Sequence, residues 1–203
     1  MKVEQLSFSD TPVDWSRMPI LPIAEKVRPS DAQVKAWGQI CYTRDALLVR
    51  IEAQEQPVLP EERGPLAMPC NDSCLEFFLR PVAQQMRYLN FEWNPGGSLY
   101  LGIGSCPADL LRIVPSDAQK ERLFAPVIQQ KPTGWEISFQ IPYTFIRCFF
   151  PDFEITPGCT LYGNFYKCGD RLPIPHYLAW NPILREGKYL FHTPAEFGKF
   201  TVI

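Results

Sequence analysis

Apolar and polar residues alternate with a period of two over most of this chain, and no long run repeats at the helical period of 3.6. "YLNFEWN" (88–94) shows the pattern most cleanly: Leu89, Phe91 and Trp93 fall on one face, and Tyr88, Asn90, Glu92 and Asn94 on the other. "SCLEFFLRP" (73–81) sets Leu75, Phe77 and Leu79 against Cys74, Glu76 and Phe78. "GWEISFQIP" (134–142) sets Trp135, Ile137, Phe139 and Ile141 against Glu136, Ser138 and Gln140, and its proline ends the strand. "ALLVRIEAQ" (46–54), "TLYGNFYKC" (160–168) and "FGKFTVI" (197–203) read as further strands. "NPGG" (94–97) hands 88–94 over to "SLYLGIG" (98–104) as a hairpin.

The predicted fold is all-β: a single domain, residues 1–203, of two antiparallel sheets packed as a sandwich. Its expected core includes Phe77, Phe91, Trp93, Ile137 and Phe139, with little helix beyond the 107–124 connection. Proline-rich connections run over 55–69, 107–124 and 171–197. The last is too long for a plain turn and too aromatic for a disordered one.

Composition narrows the function classes. The 20 basic and 22 acidic residues are interspersed, giving a net charge of -2 without the basic patch of a nucleic-acid binder or a polybasic membrane anchor. The first residues lack the apolar run of a secretory leader, and no stretch reaches the ~18 apolar residues of a membrane helix; the expectation is a soluble, cytoplasmic protein. Seven cysteines at irregular spacing are expected to be mostly reduced and buried, and with two histidines the sequence offers no recognisable zinc motif.

Strands 73–81 and 88–94 are close enough in sequence to share a sheet, which brings Glu76 near Asn90 and Glu92 on the face away from the core. Carboxylate and amide together suit the alternating donors and acceptors of a polyol. "HYLAWNPI" (176–183) adds His176, Tyr177 and Trp180. A sugar ring offers apolar C–H faces to an aromatic platform and hydroxyls to a polar rim, and Trp180 with Glu76, Asn90 and His176 supplies both kinds of group.

The series "NDSCLEFFLRP", "YLNFEWNPGG", "GWEISFQIP", "GNFYKCGD", "HYLAWNPI" and "FHTPAEFGKFTVI", in that order, resembles the family 9 carbohydrate-binding modules, a branch of the DOMON-like β-sandwiches. The resemblance runs from about residue 14 to the C-terminus. It implies a non-catalytic sugar-binding module, with a saccharide ligand and an association with a carbohydrate-active enzyme. It also implies site residues: Trp180 as a stacking tryptophan, Glu76 as an acidic partner, and Lys167 in place of an arginine. The other stacking tryptophan of the family falls at or next to Cys70, in "MPCND", which leaves either a one-sided platform or a different aromatic, with Tyr100 and Tyr177 as candidates. Strict alternation in 160–168, however, puts Lys167 on the side of Leu161 and Phe165, so Lys167 enters the site only through a bulge at Gly163; otherwise Tyr166 is the site residue.

Two alternatives come from other classes. Glu76 and Glu92 could be the paired carboxylates of a glycoside hydrolase. A haem-binding DOMON-type redox domain would draw its ligands from Met68, Met86, His176 and His192. No cofactor is expected, although relatives of this fold hold calcium in loops and Asp152 with Glu154 forms an acidic loop cluster.

Overall fold

The computed structural model describes residues 1–10, 12–185, 187–188 and 190–203. Its strands are β1 (Val3–Leu6), β2 (Leu21–Pro22), β3 (Glu25–Lys26), β4 (Lys35–Tyr42), β5 (Ala46–Gln54), β6 (Cys74–Arg80), β7 (Tyr88–Trp93), β8 (Leu99–Gly104) and β9 (Leu111–Ile113). After helix α1 (Asp117–Phe124) come β10 (Val127–Lys131) and β11 (Gly134–Pro142). Helix α2 (Tyr143–Phe149), β12 (Thr160–Cys168), β13 (Tyr177–Ala179) and β14 (Gly198–Val202) complete the order.

The strands form two sheets, the expected sandwich. The larger runs β1-β14-β12-β6-β7-β8-β9, with β13 also on β12 and β3 on β13; the smaller runs β10-β11-β5-β4-β2. Neighbours pair antiparallel except β1 with β14. Seven of the expected strands are present, with ends shifted by a residue or two.

The alternation read from the sequence decides the interior. Leu75, Phe77 and Leu79 of β6 and Leu89, Phe91 and Trp93 of β7 meet Trp135, Ile137 and Phe139 of β11 and Leu47, Val49 and Ile51 of β5. At about 25 cal/mol per Å² of apolar surface, each of these side chains contributes roughly 1.5–3 kcal/mol on burial. Gly38 has a packing reason: a Cβ there would lie 2.5 Å from the Phe165 ring, so the two sheets close only over a glycine at this point. Helix α1 starts at a capping box, with the Ser116 hydroxyl accepting from the Gln119 amide and the Gln119 side chain accepting from the Ser116 amide. Helix α2 is not among the elements the sequence pattern suggested, and neither are several strands, β4 and β10 among them. The helix begins where Pro142 ends β11, and it buries Tyr143, Phe145 and Ile146.

The second face of the large sheet differs from expectation. Tyr88, Asn90, Glu92 and Asn94 do point away from the core, but every residue of β6 and β7 is buried. The long 171–197 connection folds over part of this face, where Phe78, Tyr88, Tyr166, Ala179 and Phe197 make a second apolar cluster joined by Ile183 and Phe191. Glu186 and Tyr189 of that connection lie outside the described residues.

Candidate functional site

Where this cover stops, the outer face of the large sheet opens into a cleft of about 920 Å³, toward the upper end of the ~300–1,000 Å³ usual for small-molecule sites. Its floor is set by strand register. Glu76 lies directly opposite Glu92, and Glu92 opposite Tyr100, while Tyr166 flanks Glu76 on the other side. Cys168 pairs with Cys74 on one side and with Tyr177 on the other. The cleft is lined by Glu76, Glu92, Cys168, Cys70, Asn71 and Asp170 below, and by Tyr100, Tyr177, Phe191 and Met68 on its walls.

The aromatic walls are held from behind. Phe191 stacks on Tyr166, with centroids 4.1 Å apart and planes at 11°, and the Tyr166 hydroxyl donates to the Phe191 carbonyl at 2.9 Å. Tyr177 meets Phe191 edge-on at 6.2 Å and carries the Arg28 guanidinium 4.8 Å from its ring. On the far side Arg112 lies 4.5 Å from the ring of Tyr100. Tyr166 and Tyr100 are three strand spacings apart, about 14 Å. Tyr100, Tyr177 and Phe191 are each only partly buried, so their rings keep a face toward the cleft.

The floor is rich in carboxyl groups. Burial raises the Glu76 carboxyl to about 7, and nearby Asp170 pushes it the same way. Burial, followed by repulsion from Glu76, raises Glu92 well above the usual carboxylate range. Among the described residues neither carboxylate has an ion-pair partner within 4 Å. Glu92 accepts from the Asn90 amide at 2.7 Å, and Glu76 accepts from the Cys168 thiol at 2.9 Å. Asn90 leans into the space that Gly102 leaves open on β8, where a Cβ would lie 2.2 Å from its Oδ1. It is fully buried and supports Glu92 from beneath rather than lining the cleft.

Three sequence candidates sit elsewhere. Trp180 is a core residue: it is 3% exposed, stacks on Phe200 at 5.0 Å and 15°, and lies over Gly198, whose missing side chain makes room for its ring. His176 is 2% exposed, its Nδ1 is 3.1 Å from the Ile174 carbonyl and its Nε2 is 3.9 Å from Glu55, so it too is turned away from the cleft. Lys167 is fully buried, pairs with Glu55 at 2.9 Å and donates to the Cys168 carbonyl at 2.7 Å. No bulge re-aims it, since the β12–β6 register is continuous from Tyr162 to Cys168.

One rule accounts for all three. Successive side chains of a strand alternate sides. In "HYLAW", Leu178 pairs with Lys167 and faces the core, so His176 and Trp180 do as well, while Tyr177 is left in the cleft. Thus Glu76, Glu92, Tyr100 and Tyr177 come together, Asn90 stands behind them, and Trp180, His176 and Lys167 do not join. Phe191, Cys168, Asp170 and Asn71 are among the cleft residues the sequence reading missed. Parity in 160–168 was available for Cys168, which must face opposite Lys167; for Phe191 in an irregular connection the sequence carries no such signal.

A sandwich with an aromatic-walled, carboxylate-floored cleft on one sheet is the geometry of a small-molecule binding module. Residues 13–202 match the model of carbohydrate-binding family 9, and the chain belongs to that family. Its structure is similar to that of a provisionally assigned carbohydrate-binding protein of Bacteroides uniformis, with a TM-score of 0.81 at 25% identity, covering 100% of this chain and 99% of the other. A family 9 carbohydrate-binding module of Caldicellulosiruptor kristjanssonii solved with cellotriose has a TM-score of 0.64 at 13% identity, covering 99% of this chain and 93% of its own. The glucose complex gives 0.64 at 14%, covering 100% and 96%. At such identities the likeness is one of fold. None of the curated proteins matches the chain significantly.

Proposed function

We propose that this chain binds a saccharide in the cleft of the large sheet, stacked on tyrosine and phenylalanine rather than on tryptophan. The observation that supports this most is the pairing of partly exposed rings of Tyr177, Phe191 and Tyr100 with two buried carboxylates that, among the described residues, have no ion-pair partner within 4 Å. Sugar hydroxyls donate to Glu76 and Glu92, and the C–H faces of the ring lie on the aromatic walls. The cleft is wide enough for more than one ring, and glucose and cellotriose, the ligands of the Caldicellulosiruptor modules, are the first saccharides to try. One or two stacked rings and a few hydroxyl contacts suit a Kd in the micromolar to millimolar range, roughly -8 to -4 kcal/mol.

The same reading takes the module as non-catalytic. Glu76 and Glu92 are neighbours on adjacent strands and point from one floor, whereas a glycosidase sets its two carboxylates on opposite sides of the scissile bond, about 5–9.5 Å apart. A partner enzyme would supply the chemistry, and the saccharide would be what brings the two together.

A glycan array probed with the purified chain tests the proposal, with glucose and cellotriose among the spots and product analysis of each spot afterwards. Retention of at least one saccharide unchanged is expected. Retention of none would refute binding, and cleavage would refute the non-catalytic reading.

A further inference from the structure

Two cysteines of the cleft floor play no part in the sugar recognition proposed above, and they meet one of its carboxylates, Glu76. Alternation along β6 puts Cys74 and Glu76 on the cleft side, and the β12 register puts Cys168 directly opposite Cys74. The two sulfurs and one Glu76 oxygen all lie within 4.8 Å of one another. Cys168 and Glu76 border the cleft, and Cys74 lies fully buried just beneath them. Cys70 lines the same cavity, its carbonyl 3.8 Å from the Cys168 sulfur and also accepting the Asp170 amide, which ties this loop to the end of β12.

These three donors match the demands of one ion. Zinc prefers a tetrahedral set of thiolate and carboxylate or imidazole ligands at about 2.3 Å for sulfur and 2.0–2.2 Å for oxygen, which puts ligand atoms roughly 3.3–3.8 Å apart. The trio is within a small closure of that spacing, on two hydrogen-bonded strands that hold it in place. Two sulfurs select against calcium and magnesium, which take oxygen ligands. Glu92 and Asp170 add further carboxyl groups around the trio, and among the described residues neither Glu76 nor Glu92 has an ion-pair partner within 4 Å.

We propose that Cys74, Cys168 and Glu76 form a zinc site in the cleft floor, with a fourth coordination position open to the cleft and filled by water. Binding converts both thiols to thiolates and releases their protons to solvent, together with the Glu76 proton where that group holds one. Uptake therefore tightens as pH rises. The site stands whether or not the cleft binds sugar, and it is read without any saccharide.

The test is a cadmium titration of reduced, metal-free protein, followed by the ultraviolet thiolate-to-metal charge-transfer band, with zinc then added as competitor. One equivalent of cadmium is expected, displaced by zinc, and zinc should shield two thiols from a thiol reagent. Cys168→Ser and Cys74→Ser should each weaken binding at least 100-fold and Glu76→Gln about 10-fold, while Cys148→Ser, at an exposed thiol outside the cleft, changes nothing. Glu76→Gln removes an unfavourable buried charge and so gives a folded variant should a serine substitution unfold the chain. Absence of the band at stoichiometric cadmium, or its full retention in Glu76→Gln and Cys168→Ser, would overturn the proposal.

Discussion

Two pairs of glutamates face each other across neighbouring strands in this protein, and they are treated in opposite ways. On the outer face of the small sheet Glu52 lies directly opposite Glu136. Arg50 and Lys131 both bridge the pair, Arg50 at 3.0 and 2.5 Å and Lys131 at 2.8 and 2.5 Å. Those contacts hold the Glu136 carboxyl below its usual value against the opposing effect of burial. On the outer face of the large sheet Glu76 lies opposite Glu92 in the same register, with no bridging cation among the described residues, and both carboxyls are raised. Like charges directly opposite are destabilising unless compensated. The first pair is a finished structural network. The second has no such bridging cations among the described residues and lies at the bottom of a cleft, which is where the proposed ligand would meet it.

The largest expected effect concerns the lysine nearest the cleft pair. Lys167 belongs to Glu55 on the core side, so Lys167→Ala should cost about 3–5 kcal/mol by leaving Glu55 buried and unpaired. A denaturant melt measures this; a loss under 1 kcal/mol would mean that the lysine serves the cleft pair instead. Next come the glutamates themselves. Glu92→Gln removes the repulsion and should stabilise the fold at pH 8 by on the order of 1–3 kcal/mol. Glu136→Gln breaks a compensated pair and should destabilise it by about 1 kcal/mol or less. Melts of both variants at pH 8 check the two signs.

The pH dependence of stability separates the pairs further. Glu76 is raised from 4.5 to about 7, so its contribution is fully present below 4.5 and is lost as pH rises through about 7. Glu136 is lowered, so its contribution is present above 4.5 and is lost as pH falls through its depressed value. Rising pH between 5 and 8 should therefore cost the parent stability that Glu76→Gln keeps, on a background that buried His176 and His192, both lowered to about 4, move the opposite way; melting temperatures of the two proteins across that range measure the difference. An identical slope in both would show that Glu76 does not titrate in that window.

The sequence made the sandwich legible because alternation is local. Each of β6, β7 and β11 declares its core face within a few residues, and Phe77, Phe91, Trp93, Ile137 and Phe139 are all in the core. The same rule, carried through "HYLAW", separates Tyr177 from Trp180 and His176; alignment to a family motif alone puts Trp180 in the cleft, where its ring does not lie. The cleft itself was less legible. Glu76 and Glu92 are readable from one hairpin, but Cys168 reaches Glu76 across 92 positions, and that contact depends on a register between β6 and β12 that neither strand states alone. Phe191 is fixed by stacking on Tyr166 within an irregular connection, where no period predicts direction.

On the proposed reading the outer face of the large sheet binds and the inner face folds, and Tyr177 and Trp180, three residues apart, divide the two. The most direct measurement is a calorimetric titration of the best array saccharide against the parent, Tyr177→Ala and Trp180→Phe, each first shown to be folded. Tyr177→Ala should keep its stability within about 1 kcal/mol, since its ring is partly exposed, and lose at least tenfold in affinity. Trp180→Phe should melt earlier but bind as the parent does. Parental affinity in Tyr177→Ala, or binding lost in a folded Trp180→Phe, would contradict the account.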